Sequence, residues 1–232
     1  MKYKRVLIKL SGEALAKKEG FGIDFDKVLD VAEEISQIAK LGVEIGIVVG
    51  GGNFWRGRSN QQMDRCISDY IGMLGTTMNA LAIGDAFKQI NVDVRVQTGV
   101  EMRQIAEFYI KDRALKHLFN KRIVVFGCGT GSPFFSTDTA ASLRAAEINA
   151  DLLIKATNVD AIYDKDPKKY NDAVKISHLS YLDVLNKKIN IMDSTATTLC
   201  MDNNIPILVT DINVKGNLKK AIEGKKIGTI VD

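Results

Sequence analysis

Two glycine-rich turns, each directly after an apolar run that is typical of a buried strand, most strongly limit how this chain can fold. The first turn, Gly50-Gly51-Gly52-Asn53, follows residues 43–49. The second, Gly127-Cys128-Gly129-Thr130-Gly131, follows residues 123–126 and continues to Asp138. Because a backbone without Cβ atoms can approach a phosphate closely and point amide donors at it, we expect two phosphate-bearing ligands to meet in one crevice.

The hydrophobic pattern alternates between strand-like and helix-like segments. Residues 26–41 place apolar side chains at helical spacing, and Gly42 can end that helix. Further helices are predicted over 70–90, 103–119, 139–148, 180–185 and 194–203 and from 216, with strands over 5–10, 43–49, 92–97, 122–126, 152–156 and 207–210. This alternation predicts an α/β fold, a three-layer sandwich around a mostly parallel sheet. Ligands of such sheets bind at the carboxyl ends of the strands, where both glycine turns fall.

Length and composition favour one enzyme-sized unit. A chain of 232 residues that is 46% hydrophobic can bury a large core, and its sequence shows no linker, repeat or low-complexity tract. We expect a single domain over 1–232 with two lobes, of which the second begins near residue 151 and includes a polar hairpin over 158–167. The net charge of +4 is interspersed, so no basic arm indicates nucleic acid as a partner.

Several classes of protein are disfavoured by what the sequence lacks. Its three cysteines show no CxxC spacing, which fits a cytoplasmic protein and argues against a zinc site. No apolar stretch approaches the length of a membrane span, and the first residues lead into a strand rather than a signal sequence. With only two histidines, acid–base catalysis by histidine is not expected.

Two lysines stand at the ends of apolar strands. Lys9 closes the first strand, and Lys155 repeats the arrangement after residues 152–154. A buried ammonium group is costly unless it reaches a cleft or a partner. One interpretation is a strand-end lysine that extends to water, and the other is a cation aimed at a transferring phosphoryl group, with Gly12 leaving space beside Lys9. The repetition favours the second interpretation.

Four further residues are candidates for a role in or near the site. Asp138 and Asp193 each stand at the predicted start of a helix, where a carboxylate commonly caps the helix. Either aspartate could equally orient a lysine or hold the water shell of a metal ion. Arg56, just beyond the first glycine turn, can fork onto phosphate oxygens. Cys128 lies among glycines without a neighbouring base, so it is interpreted as a small filler rather than a nucleophile.

The common nucleotide-binding signatures are absent from the sequence. The Walker A pattern does not occur, and the second turn reads G-x-G-x-G followed by Ser132-Pro133, which breaks the Rossmann fingerprint. Alone, each glycine turn is as compatible with a structural turn as with a phosphate site. The residues that flank the turns therefore decide between these readings.

Five ordered segments give the chain a resemblance to a known family over essentially its whole length. They are Lys9-Leu10-Ser11-Gly12-Glu13-Ala14-Leu15, Gly50-Gly51-Gly52-Asn53 with Arg56-Gly57, Asp69 with residues 72–79, residues 129–138, and Lys155-Ala156-Thr157-Asn158-Val159-Asp160. On these segments the chain resembles the bacterial-type UMP kinases (uridylate kinases) of the amino acid kinase superfamily. The three-glycine turn and the strand-end lysines are shared with carbamate, acetylglutamate and aspartate kinases. The segments at Asp69 and at 130–138 mark the UMP branch.

The resemblance implies conversion of UMP to UDP with ATP in pyrimidine biosynthesis, with Mg²⁺ carried by ATP rather than held directly by the protein. It implies that residues 1–150 bind UMP and form the oligomer contacts, and that residues 151–232 bind ATP. The implied catalytic residues are Lys9, Lys155, Asp138, Asp193 and Arg56. The implied ATP site comprises Lys9, Leu10, Ser11, Gly12, Gly52, Arg56, Thr157, Asn158, Tyr163 and Asp166. The implied UMP site comprises Gly51, Asp69, Thr130, Gly131, Ser132, Pro133, Phe134, Phe135, Ser136 and Thr137.

The resemblance also implies a homohexamer built from three dimers, with UTP as a feedback inhibitor. The helix over 70–90 is rich in small residues and methionine, so we expect it at a dimer contact; the alternative is burial within its own subunit. Relatives that GTP activates carry an arginine and a histidine where this chain has Gly84 and Lys88, while Arg95 and Arg122 match two further arginines. Weak or absent activation by GTP is therefore expected.

Two other functions stay open on the sequence alone. One is a nucleotide-sensing module without catalysis, and the other is a kinase that acts on carbamate or a carboxylate. The intact lysines and glycine turns disfavour the first, and the UMP-branch segments disfavour the second. Phosphoryl transfer between phosphates depends on positioning and cationic stabilisation, so the scarcity of histidine is no handicap.

Overall fold

Strands and helices alternate along the chain in a computed structural model that describes residues 1–56, 62–157, 159–165, 167, 169–170, 172–189 and 191–232. The strands are β1 (Arg5–Leu10), β2 (Glu44–Val49), β3 (Val94–Thr98), β4 (Glu107–Phe108), β5 (Ile123–Gly127), β6 (Leu152–Thr157), β7 (Ile162–Tyr163), β8 (Lys175–Ile176), β9 (His178–Leu179), β10 (Ile207–Asp211) and β11 (Thr229–Val231). The helices are α1 (Phe25–Ala39), α2 (Arg65–Gln89), α3 (Lys111–Phe119), α4 (Thr137–Glu147), α5 (Tyr181–Asn186), α6 (Ser194–Asp202) and α7 (Asn217–Ile222).

One large sheet runs through both halves of the chain. Its strand order is β4-β3-β5-β2-β1-β6-β10-β11-β9, and the β10–β11 pair is antiparallel while the other pairs are parallel. Strands β2 and β5 are nearly continuous apolar runs, as expected for strands covered on both faces. Because β1, β2, β5 and β6 are parallel, the glycine turns and the strand-end lysines lie at the same carboxyl edge.

Alternating side chains of the strands fill two separate cores. Val6 and Ile8 belong to the core under α1, α2 and α7, whereas Leu7 belongs to the core under α3, α4, α5 and α6. Lys9 follows Leu7 by two positions and Lys155 follows Leu153 by two, so both lysines point into the second layer, toward α4. The register of the apolar residues thus determines which helix the lysines meet.

The predicted α/β fold with a mostly parallel sheet is confirmed, with corrections to two elements. The helix predicted over 70–90 begins at Arg65, because Asp64 caps it by accepting a hydrogen bond from Ile67 N at 3.1 Å. The helix predicted over 103–119 is wrong in its first part. There, strand β4 pairs with the end of β3, and α3 starts only at Lys111.

The elements that the sequence did not predict are all short. Strands β4, β8, β9 and β11 contain two or three residues each, too few for a periodic pattern, and pairing with distant strands defines them. The predicted polar hairpin extends further than expected, since Ile162 pairs with Ile176. In the described part of the chain, no helix is long and apolar enough to cross a membrane.

Candidate active site

The two strand-end lysines meet on one aspartate. Lys9 and Lys155 are register partners in the neighbouring parallel strands β1 and β6, so their side chains leave the sheet at the same level. Lys9 Nζ lies 3.0 Å from Asp138 Oδ1, and Lys155 Nζ lies 3.1 Å from Asp138 Oδ2. The three side chains are 12%, 16% and 18% exposed. One carboxylate therefore bridges two largely buried cations at the carboxyl edge of the sheet.

Burial and charge act in opposite directions on this cluster. Burial by itself raises the pKa of Asp138, but the ammonium groups of Lys9 and Lys155 outweigh it and lower that pKa below its usual value. Burial lowers the pKa of Lys155; Asp138 opposes this shift, and the positive charge of Lys9 adds to it. With both lysines protonated, the trio carries one net positive charge that can attract an anion.

Helix α4 brings Asp138 into the cluster. The N-cap of this helix is Ser136, whose hydroxyl accepts a hydrogen bond from Thr139 N at 3.1 Å. Asp138 stands in the first turn, where a negative charge also interacts favourably with the helix dipole. The capping interpretation of Asp138 is therefore wrong, and its carboxylate contacts the two lysines instead.

Asp193 ties the starts of two helices together. It caps α6 by accepting from Ala196 N at 2.9 Å, as the capping interpretation predicts. Its carboxylate also accepts from Thr139 Oγ1 at 3.0 Å and from the Ser136 hydroxyl, both at the start of α4. Asp193 thus fixes the helix that carries Asp138.

The first glycine turn packs tightly against its neighbours. A Cβ atom at Gly12 would lie 2.4 Å from Asn53 Oδ1 and 2.7 Å from Gly50 O. A Cβ atom at Gly51 would lie 2.7 Å from Gly72 O, on α2. Side chains are excluded at both positions, so the turns after β1 and β2 approach each other backbone against backbone.

Arg56 lies beyond this turn and pairs with Glu13 in the short helical turn Gly12–Leu15. The two side chains are 62% and 50% exposed, so this ion pair is open to competition from other anions. Beside it, Trp55 donates its indole N–H to Ser68 Oγ at 2.9 Å. Arg56 is the last residue described before the gap at 57–61.

A cleft of about 170 Å³ opens between the two glycine turns and the first half of α2. Five of the ten residues predicted to bind UMP contribute to its lining. The lining comprises Gly51, Gly52, Trp55, Arg65, Ser68, Asp69, Gly72, Met73, Thr76, Gly129, Phe135, Ser136 and Thr137. The two turns that the sequence singled out therefore border one crevice.

Asp69 connects α2 to the loop of the second glycine turn. Its Oδ2 atom accepts from Phe134 N and from Arg65 Nε, both at 2.8 Å. The guanidinium of Arg65 in turn lies 5.5 Å from the ring centre of Phe134. Five predicted UMP residues of this same loop do not line the cleft: Thr130, Gly131, Ser132, Pro133 and Phe134.

The residues predicted to bind ATP divide into two groups, and the first lies near the lysine cluster. Leu10 is fully buried, so only its backbone can face a ligand. Ser11 begins the helical turn after β1, and its hydroxyl accepts from Ala14 N at 3.3 Å. Gly12, Gly52 and Arg56 complete this group at the ends of β1 and β2.

The second group of predicted ATP residues lies on the other side, at β6 and β7. Thr157 Oγ1 accepts from Val159 N at 2.9 Å, and the Tyr163 hydroxyl donates to Asp160 Oδ1 at 2.8 Å. Both side chains therefore stabilise the start of the hairpin. Asn158 and Asp166 lie outside the described residues.

Two polar residues that support the site gained no role from the sequence. Glu13 is the partner of Arg56, and Asn79 donates to Gly50 O at 2.7 Å from within α2. Both stand inside segments that carry the family resemblance. The sequence feature that could have indicated a role for Asn79 is its amide side chain in a helix of mostly small and apolar residues.

Comparisons with known proteins agree with this geometry. The model of the amino acid kinase family matches residues 4–211. A UMP kinase from Bacillus anthracis is 39% identical over 100% of this chain and 97% of its own, with a TM-score of 0.96. A UMP kinase from Ureaplasma parvum is 35% identical over 100% of both chains, with a TM-score of 0.93. A uridylate kinase from Archaeoglobus fulgidus is 26% identical over 98% of this chain and 99% of its own, with a TM-score of 0.72.

The sheet, the glycine turns and the strand-end lysines define an α/β kinase. The chain belongs to the amino acid kinase family. Within that family, two solved structures that match its full length are those of UMP kinases, so the resemblance predicted from the five segments is confirmed.

Proposed function

We propose that the protein transfers the γ-phosphoryl group of ATP to UMP, giving UDP and ADP in pyrimidine nucleotide biosynthesis. The observation that carries the proposal is the bridge of Lys9, Asp138 and Lys155 at the carboxyl edge of the sheet. The cleft beside the glycine turns supports a second nucleotide next to it. The two UMP kinases that match the whole chain support UMP as the acceptor.

Positioning and charge account for the chemistry. In-line transfer spreads negative charge over the phosphoryl oxygens and needs little covalent help. In this proposal Lys9 and Lys155 stabilise that charge, while Asp138 bridges their ammonium groups and offsets the repulsion between them. The phosphate of UMP is already anionic, so it needs no strong general base. In this proposal Asp193 is a positioning residue that holds the start of α4.

Magnesium fits this site as an ion carried by the phosphates of ATP. The carboxylate of Asp138 is engaged by two ammonium groups, and that of Asp193 by two hydroxyls and a helix amide. These engaged carboxylates suit an ion bound mainly by phosphate oxygens and water. When bound, Mg²⁺ neutralises phosphate charge, and the lysines orient the same phosphates.

We assign the cleft to UMP and the ends of β1 and β6 to ATP. All the residues that line the cleft fall within 51–137, which supports residues 1–150 as the UMP lobe. The predicted ATP residues on β6 and β7 support residues 151–232 as the ATP lobe. UTP then inhibits by occupying the UMP pocket with its pyrimidine nucleoside.

Helix α2 is our candidate for the dimer contact of a homohexamer. One of its faces is buried in its own subunit through Ala80, Ile83 and Phe87. The opposite face carries apolar residues at helical spacing that are 44–52% exposed: Ile67, Tyr70, Leu74 and Met78. The buried face agrees with the alternative interpretation, burial within the same subunit, and the exposed face supports the proposed dimer contact. A second copy of α2 would cover the exposed face.

Activation by GTP is proposed to be weak or absent. Asp93 binds both candidate arginines, with Arg95 Nη1 at 2.6 Å and Arg122 Nε at 2.7 Å. An incoming triphosphate must therefore compete with an internal carboxylate. Gly84 offers no donor, and a Cβ atom there would lie 2.5 Å from Val96 Cγ2.

Release of ADP from ATP and Mg²⁺ in the presence of single acceptors tests the proposed function. UMP should be preferred clearly over CMP, because a pocket that hydrogen-bonds one base edge leaves groups unpaired with the other. Turnover of carbamate or a carboxylate in place of UMP would support the rival kinase. Binding of nucleotides without turnover of any acceptor would support a sensing module, and equal rates with UMP and CMP would contradict the proposed specificity.

A further inference from the structure

A buried pair of amide side chains lies beneath the first glycine turn. Asn53 Nδ2 donates to Asn79 Oδ1 at 3.0 Å, and Asn79 Nδ2 donates to Asn53 Oδ1 at 2.7 Å. The two residues are 1% and 0% exposed. Asn79 also donates to Gly50 O at 2.7 Å, and Asn53 also donates to Gly22 O at 2.8 Å. Each amide nitrogen thus has two acceptors, so the pair is satisfied without water.

This pair stands where three segments meet. Asn53 ends the turn after β2, Asn79 comes from α2, and Gly12 of the turn after β1 packs against Asn53 Oδ1. The partners of the pair are amides and backbone carbonyls rather than charged groups. The position of the glycine turn relative to α2 therefore depends on hydrogen bonds that side-chain amide groups donate.

The bond from Asn79 to Gly50 O has a consequence for the next amide along the chain. In a planar trans peptide, the C=O of Gly50 and the N–H of Gly51 point in opposite directions. A Gly-Gly peptide can flip at little steric cost, because glycine accepts positive and negative φ alike. A donor that holds Gly50 O on the side of Asn79 therefore keeps the Gly51 N–H on the other side. Gly51 is also part of the lining of the nucleotide cleft.

We propose that Asn79 is a positioning residue that locks the Gly50–Gly51 peptide, so that the Gly51 N–H is presented to a nucleotide phosphate. This inference rests on the proposed function, since it takes the cleft to be a phosphate-binding site. Asn79 itself contacts no substrate. Asn53 serves as the partner that fixes the Asn79 amide in the orientation that donates to Gly50 O.

The substitution Asn79→Asp tests the lock because it keeps the size of the side chain and removes the amide donor. A carboxylate at position 79 repels Gly50 O, so the Gly50–Gly51 peptide is no longer held in one orientation. The kcat with UMP should therefore fall about tenfold or more, as for the loss of a preorganised donor. The dissociation constant of UMP should change by less than about threefold, since other residues of the cleft are untouched. The protonated acid can donate again, so the ratio of mutant to wild-type kcat should rise as the pH is lowered.

Tyr181→Phe is the matched control. The Tyr181 hydroxyl is a buried donor to Ile205 O, on elements that do not line the cleft. Its removal should lower the melting temperature and leave kcat and its pH profile unchanged. A merely structural role for Asn79 predicts the same result for Asn79→Asp once the folded fraction is corrected by circular dichroism.

The outcomes separate the two proposals. If the wild type phosphorylates UMP and folded Asn79→Asp keeps its kcat within about twofold, or shows no pH-dependent recovery, the lock is refuted and the proposed function stands. A wild type that is inactive on UMP overturns both. If Asn79→Asp does not fold, Asn79→Ser, which is uncharged but too short to reach Gly50 O, should show the same loss of kcat, and normal turnover by that variant also refutes the lock.

Discussion

Replacing Asp138 by asparagine removes one negative charge and leaves two lysines facing each other. The carboxylate oxygens lie 3.0 and 3.1 Å from Lys9 Nζ and Lys155 Nζ, on side chains that are 12% and 16% exposed. At an effective dielectric constant of about 20, each contact corresponds to about 5 kcal/mol of Coulomb energy before desolvation is subtracted. Breaking a buried pair by removing one partner costs about 3–5 kcal/mol. Because these side chains keep some contact with water, we expect a loss near the lower end of that range.

A loss of about 3 kcal/mol should lower the melting temperature by about 6–12 °C in a chain of this size. The effect has a definite pH dependence. The pKa of Asp138 is lowered in the folded protein, so its stabilisation is present above the unfolded pKa of about 3.9 and is lost as the pH falls through the folded pKa. The difference between wild type and Asp138→Asn should be complete at pH 7 and shrink in strongly acidic solution.

Thermal unfolding at pH 7, followed by circular dichroism, measures this difference. Asp172→Asn is the matched control, because Asp172 pairs with Lys165 but is 79% exposed and should shift the melting temperature by about 2 °C or less. Tripolyphosphate should stabilise Asp138→Asn more than the wild type, since the variant has two unbalanced lysines. A melting temperature equal to that of the wild type would show that the bridge contributes no net stability. An equal response to tripolyphosphate would show that the two lysines do not attract the added anion.

Four further predictions follow from the same geometry. Lys9→Ala should lower kcat about a hundredfold in the ADP-release assay with little change in the KM for UMP, and a near-normal kcat would make Lys9 a simple strand end. In pH profiles of kcat/KM, Lys155→Arg should move the alkaline limb to higher pH, because burial lowers the pKa of Lys155 and a guanidinium group does not titrate in that range. An alkaline limb at the same pH as in the wild type would contradict this. Light scattering at micromolar concentration should show an oligomer that Leu74→Asp dissociates, and a wild-type monomer would refute the α2 contact. GTP at subsaturating ATP should raise the rate less than about twofold, whereas a several-fold rise would show that Asp93 does not block the arginines.

The parts of the structure that local sequence determines were predictable. The strands that carry Lys9 and Lys155 are apolar runs ended by glycine or polar residues, and the two glycine turns follow their strands directly. Parallel strands share one carboxyl edge, so the meeting of these features at one site follows from the alternating pattern. The register that makes Lys9 and Lys155 direct neighbours is a tertiary fact, and no spacing within either strand encodes it.

The roles of residues at the starts of helices could not be predicted from the sequence alone. Ser136, Thr137 and Asp138 all stand close to the start of α4, and sequence alone left the capping role of Asp138 open. The structure gives the cap to Ser136 because the lysines of β1 and β6 attract the carboxylate of Asp138. Asn79 was not predictable for a similar reason, since its partners at Gly50 and Asn53 come from a turn 26 or more residues earlier.

Strand β1 precedes the other described strands along the chain and lies at the centre of the finished sheet. One of its edges pairs with β2, which follows soon after, whereas the other waits for β6 at Leu152–Thr157. A nascent chain that stops short of β6 therefore presents an open apolar edge with unpaired backbone groups, which is a template for aggregation. Because the same late pairing brings Lys155 to Asp138, the recovery of activity during refolding should report the closure of this central edge rather than the formation of any local element.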